Sequence, residues 1–133
     1  MKKTKYLVSV LLLIAINTLN FKVCAQTKWV APASADKMKN PVNADAAAMK
    51  DAKTVYTSTC APCHGVKGRG DGPAAVALNP KPADHSSKAI QGESDGSLYW
   101  KLTEGRGAMQ SYKSQLSDKQ RWALINYIRT LKK

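Results

Sequence analysis

No part of this chain of 133 residues alternates apolar and polar residues over the length of a strand, and no segment repeats. Those absences argue against sheet architectures and against repeat folds. Acidic residues are few, with 9 Asp and Glu against 21 Lys and Arg. The basic residues nevertheless form no dense block, being spread from Lys28 to Lys133, and no recognition motif accompanies them. A nucleic-acid partner is therefore not expected. Histidine and cysteine are also scarce, at two and three residues. Any metal or redox chemistry must come from very few positions.

The chain begins with a targeting pattern. Lys2, Lys3 and Lys5 precede a largely apolar run from Tyr6 to Phe21, broken by Asn17, Thr18 and Asn20. This is the layout of a secretory signal, and the run is too short and too polar at its end for a stable membrane span. Val23-Cys24-Ala25 places small residues for cleavage before Gln26. Residues 1–25 are thus expected to be a signal peptide, and the remaining chain extracytoplasmic, as in a periplasm. Cleavage removes Cys24 and leaves two cysteines, which accounts for the odd count. The alternative is lipid anchoring through Cys24, although Lys22 fits that pattern poorly. Cleavage also takes away four of the basic residues and none of the acidic ones, leaving a net charge near +8. Such a charge serves solubility and can steer the protein toward acidic partners.

Residues 26–42, with Pro32 and Pro41, read as an extended leader in which Trp29 is placed to dock on the domain that follows, residues 43–133. Asn43 or Asp45 can cap a helix running to about Ser58. Its buried face would hold Ala48, Ala52, Val55 and Tyr56. Gly65, Gly68, Gly70, Gly72 and Pro73, then Pro80 and Pro82, forbid a long regular element. Ser94-Asp95-Gly96-Ser97 can start a second helix with Leu98, Tyr99 and Leu102 inside and Gly105 at its end. Ser117 and Gln120 form a capping-box pattern. The helix after them should run to about Leu131, with Trp122, Ile125, Ile128 and Leu131 as its apolar stripe. The fold class is all-α with long loops.

Between the first helix and the glycine-rich stretch stands Cys60-Ala61-Pro62-Cys63-His64. C-x-x-C-H is the attachment site of a c-type haem. The two thiols add across the haem vinyl groups, and the histidine is held under the iron. Two other chemistries use part of this pattern. A thiol–disulfide oxidoreductase needs a strand before the motif and a helix starting at it, which is the reverse of the order here. Zinc needs a fourth ligand, and His85 is the only other histidine. One covalently bound haem c with its iron is the expected cofactor.

At this point the chain resembles the class I, mitochondrial-like c-type cytochromes, over about residues 44–133. The resemblance rests on Cys60, Cys63 and His64, on a late methionine in a glycine-rich loop, and on an aromatic C-terminal helix. It implies the cytochrome c-like fold, with three or more helices and long loops wrapped around the haem. It also implies that the first and last helices cross, with Ala52 and Tyr56 meeting Leu124 and Tyr127. Ala52 stands where the family usually has glycine. Gly72-Pro73 resembles the segment whose proline carbonyl accepts a hydrogen bond from the axial histidine, and Pro80 is a second candidate. Met109, on a loop just before the last helix, matches the family's second axial ligand. Met38, Met49 and His85 are the competing positions. Trp100, Arg106 and Tyr112 are candidates for contacts to the haem propionates.

The function implied is that of an exported monohaem electron carrier in a respiratory chain, not an enzyme. With both axial positions filled by His64 and Met109, no substrate can reach the iron. Thioether ligation favours the reduced state and raises the potential. The partners expected are redox proteins with acidic docking surfaces, and membrane contact would come through a partner complex. Two alternatives remain open. One is a haem enzyme or gas sensor with a labile sixth ligand. The other is a fixed electron-relay subunit of a larger respiratory complex.

Overall fold

Asp45 starts the first long helix in the computed structural model of the protein, which describes residues 28–133: its carboxylate accepts from the Ala48 amide at 2.8 Å. The expected signal segment, its cleavage point and Cys24 lie outside the described residues. In chain order the elements are α1 (Ala33–Asp36), α2 (Ala46–Val55), a π-helical turn (Tyr56–Cys60), α3 (Ala61–His64), a 3-10 turn (Pro73–Ala77), α4 (Lys88–Gln91), α5 (Asp95–Glu104) and α6 (Asp118–Thr130). The all-α expectation holds. Among the described residues the only β-type pairing is an isolated bridge between Arg106 and Met109. No helix among them is long and apolar enough to cross a membrane.

The two later helices follow the signals in their sequence. Ser94 caps α5 through the Ser97 amide, and Gly105 ends it at φ 70°. That left-handed backbone favours a residue without a Cβ. Ser117 and Gln120 form a complete capping box at the start of α6, and Leu131 follows its last turn. Buried Leu98, Tyr99 and Leu102 from α5 meet Trp122, Leu124, Ile125 and Ile128 from α6. The Tyr99 and Trp122 rings stack at 4.0 Å with 8° between their planes. At the crossing of α2 with α6, Ala52 is buried and the Tyr56 ring lies 5.0 Å from that of Tyr127.

The leader differs from its expected form. Instead of staying extended, it turns into α1, which packs against α5, with Ala35 buried. Gly96 is needed at that contact. A Cβ there would run into the carbonyl of Ala35 and into Met38. Asn40 then donates to the Trp122 carbonyl at 3.2 Å and to Asn126 at 2.9 Å, while Asn126 donates to the Val42 carbonyl at 2.8 Å. Trp29 meets Trp100 edge-on at 6.4 Å, and Lys101 Nζ sits 5.7 Å from the Trp29 ring centre. The described part of the leader is therefore packed into the domain.

Candidate functional site

The expected first helix does not stop at Ser58. It continues through a single π turn, in which the Ala61 amide reaches back to the Tyr56 carbonyl, and then through α3 to His64. Such widened turns recur at functional sites. Pro62 is tolerated because it falls in the first turn of α3, where an amide hydrogen would lack a partner anyway. The continuous helix buries both Tyr56 and Cys60 and leaves Cys63 and His64 partly exposed. Gly65 terminates it at φ 79°, its amide bonded to the Ala61 carbonyl at 2.8 Å.

No disulfide joins Cys60 and Cys63. Burial, and after it the neighbouring Cys63, pushes the Cys60 thiol up to about 12. A thiol–disulfide enzyme needs the opposite, an acidified and accessible thiolate. Among the described residues, no group of three or more His, Cys, Asp or Glu is arranged to hold a metal ion by itself.

The glycine-rich stretch wraps the exposed carbonyls of the motif. Gly70 donates to His64 O at 2.7 Å, and Gly72 to Cys63 O at 3.1 Å. A Cβ on Gly72 would collide with the carbonyls of Ala61 and Pro62, so the loop can close only with glycine there. The chain then returns to set the Ala83 carbonyl 2.9 Å from His64 Nδ1. This corrects the expectation for Pro73, and for its alternate Pro80. Pro73 instead opens the 3-10 turn after Gly72. With Nδ1 engaged, Nε2 is the nitrogen left to bind a metal, the usual outer support of a ligating histidine. Desolvation lowers the His64 pKa, against an opposing effect of the Ala83 hydrogen bond. The neutral imidazole is the form that ligates.

His85 stacks on His64, with ring centres 4.0 Å apart and planes within 17°. Rings stacked face to face at that separation leave no space between them for a metal ion. The stacking places His85 beside His64 and not across from it.

Met109 lies in a tight turn rather than a slack loop. Arg106 and Met109 exchange backbone hydrogen bonds of 2.7 and 3.1 Å across Gly107 and Ala108. The half-buried Met109 packs against the core cluster that contains Cys60, Ala61, Tyr99 and Tyr112. Met38 is 40% exposed beside Gly96, and Met49 sits on α2 outside that cluster. Tyr112 is buried, with its amide on the Leu102 carbonyl at 3.2 Å. Burial raises its pKa, a hydrogen bond with Gln110 opposes this, and Cys60 and Cys63 are near enough to add to the rise. Tyr112 shares the buried core cluster with Cys60. Trp100 meets Trp29, and Arg106 is exposed at the edge of the Met109 turn. The Ala83 carbonyl was not legible as a site group, because a backbone carbonyl stands in no motif, and His85, a competing ligand position on the sequence, lies instead against the His64 ring.

Two cysteines on one helical turn with no disulfide between them, followed by an imidazole with one nitrogen tied back, fit a covalently attached haem whose iron would take the other nitrogen. Comparisons with known proteins agree. No curated protein matches the chain. One solved structure, the Kuenenia stuttgartiensis reducing HAO-like protein complex Kustc0457/Kustc0458, is similar with a TM-score of 0.61 and 32% identity over 70% of this chain. This chain spans 47% of that one. A second, the KustC0563 c-type cytochrome, is 26% identical over 62% of this chain and 99% of its own, with a TM-score of 0.54. The family model described as cytochrome c matches residues 49–132, and with it comes a covalently bound haem c at the Cys60–Cys63 spacing: the chain belongs to the cytochrome c family.

Proposed function

We propose that this c-type cytochrome is an exported carrier of single electrons in a respiratory chain, its iron held by His64 and Met109, and that it catalyses no substrate reaction of its own. The observation that carries this reading is that His64 Nδ1 is tied to Ala83 O while Met109 packs against the cluster containing Cys60. When bound, haem c supplies a one-electron centre. The chain fixes that centre through Cys60 and Cys63, keeps His64 neutral and oriented, and presents a thioether from the Met109 turn. A sulfur donor favours the reduced iron. Tyr112, Trp100 and Arg106 remain the proposed propionate contacts. The export signal expected over residues 1–25 supports a location in the periplasm or a similar compartment.

The expected partners are redox proteins with acidic docking surfaces. Lys67, Arg69, Lys132 and Lys133 line one open groove of about 290 Å³, beside exposed Val66. Asp84 pairs with Lys133 there at 3.0 Å. Lys101 belongs to a different class, because it is buried against Glu93. Lys81 is likewise committed, donating to the Ala75 carbonyl at 2.8 Å. A second reading, a fixed relay subunit, draws on the likeness to a chain of a redox protein complex.

The test is the optical spectrum of the purified protein together with Met109→Ala. The oxidised wild type should show the long-wavelength charge-transfer band of sulfur-ligated ferric haem. Met109→Ala should lose that band, lower the potential and let carbon monoxide bind. Met38→Ala and Met49→Ala should change none of these. An unchanged Met109→Ala protein would overturn the ligand assignment. A wild type that binds carbon monoxide readily would favour a gas sensor or haem enzyme. Co-purification as a stable complex would favour the relay subunit.

A further inference from the structure

His85 makes two contacts that no general feature of the fold requires. Its ring stacks on His64 at 4.0 Å, and its Nδ1 lies 3.0 Å from the Tyr56 hydroxyl. That hydroxyl also donates to Gly65 O at 3.3 Å. The arrangement that satisfies both bonds has His85 Nδ1–H donating to the Tyr56 oxygen. The His85 backbone is held as well. Its amide donates to Gly68 O at 2.6 Å, and its carbonyl accepts from Gln91 at 2.7 Å. Gly68 permits this approach, since a Cβ there would press on His85 and Leu131. Two residues before His85, Ala83 supplies the carbonyl bonded to His64 Nδ1. One short segment therefore offers His64 both a hydrogen-bond acceptor in the ring plane and a flat surface against the ring face. Between them these fix the two ways in which an imidazole can tilt.

We propose that His85 is a positioning residue for His64: clamped by the Tyr56 hydroxyl, its ring holds the His64 imidazole in the plane that keeps Nδ1–H on the Ala83 carbonyl. The inference rests on the reading of His64 as the iron ligand. The chemical consequence follows from that bond. A strong Nδ1–H···O=C bond makes the imidazole a better donor, which stabilises ferric iron and lowers the potential. Loosening the clamp lengthens the bond, makes His64 a weaker donor and raises the potential. His85 would thus oppose the effect of a Met109 thioether on the potential.

The test uses the holoprotein. Proton NMR of the reduced, diamagnetic form gives the exchange rate of the His64 Nδ1 hydrogen, and redox titration gives the midpoint potential. Wild-type His64 ring protons should carry the large upfield shifts of an axial ligand. If they do not, the ligand reading fails before the inference is tested. His85→Ala should exchange the Nδ1 hydrogen at least tenfold faster and raise the potential. His85→Phe keeps a flat ring and should restore most of the slow exchange. Tyr56→Phe keeps the core ring, frees His85 to turn, and should move both readouts in the direction of His85→Ala by a smaller amount. Should His85→Ala fail to hold haem, Tyr56→Phe carries the test alone. Wild-type exchange and potential in His85→Ala, or in Tyr56→Phe when it is the sole test, would overturn the proposal even if thermal stability fell, because simple packing predicts only that fall.

Discussion

Arg121 lays its guanidinium 5.3 Å from the centre of the Tyr99 ring and donates to the Tyr99 hydroxyl at 3.0 Å. Its other terminal nitrogen donates to the carbonyls of Lys113 at 3.0 Å and Leu116 at 2.6 Å. Asp118 contacts the same guanidinium from the exposed side. One buried cation on α6 thus holds the segment that follows the Met109 turn. Arg121→Leu should destabilise the holoprotein by about 3 kcal/mol, since hydrogen bonds to a charged group contribute about 1.5–3 kcal/mol and the acceptors left behind are desolvated. Denaturant titration measures this. The charge-transfer band assigned to Met109 ligation should also disappear before the fold does. Unchanged stability would mean that water replaces the guanidinium without loss.

Changing both motif cysteines to alanine should leave a chain without bound haem. The wild-type protein should keep its haem in acidic acetone, because two thioether bonds hold it. The helix from Ala46 to His64 and the loop after it pack few apolar side chains of their own, and Val66 and Val76 are exposed. The Cys60→Ala, Cys63→Ala protein should therefore show reduced helicity by circular dichroism. A well-folded wild-type protein without haem, carrying a Cys60–Cys63 disulfide, would contradict haem attachment.

Association with an acidic donor or acceptor should slow as salt rises, as the Debye length falls from about 10 Å at 0.1 M to about 3 Å at 1 M. The groove residues should carry the effect. Lys67→Glu with Lys132→Glu should reduce the association rate more than it speeds dissociation. Lys101→Gln should act differently, lowering stability with little change in salt dependence, because that ammonium is committed to Glu93. Stopped-flow electron transfer at several ionic strengths separates the two. Rates that ignore salt would remove the steering claim.

Hydrogen bonds from Ser86 and then Lys133 lower the Asp84 pKa to about 2. A carboxylate with a depressed folded-state pKa contributes stability that is present above the ordinary value near 4 and is lost as pH falls toward 2. Asp84→Asn should therefore flatten the acid limb of the stability curve between about pH 4 and pH 2 and leave its slope near neutrality unchanged. Urea denaturation of the holoprotein across that range checks it. An equally steep acid limb in the variant would assign acid sensitivity to other groups.

Local sequence determined the helices whose ends carry their own signals. Asp45, Ser94 with Gly105, and Ser117 with Gln120 each place a polar side chain or a Cβ-free residue where a helix must begin or stop, and such signals act within four residues. The haem motif was legible for the same reason, since its three chemically active residues are contiguous. The extent of the first helix was not, because nothing in Thr57-Ser58-Thr59 announces a π turn that carries the helix on to His64. The sequence of the leader reads as extended, because α1 depends on Gly96, about sixty residues away, to leave room for Ala35. The same distance effect hid the support of His64. A backbone carbonyl has no sequence signature, so only the fold could choose Ala83 over Pro73. His85, a competing ligand position on the sequence, meets His64 and Tyr56 only because the glycine-rich chain folds back. Chemistry written in neighbouring residues was set by the sequence itself; contacts between distant segments, which orient that chemistry, were decided by the tertiary structure.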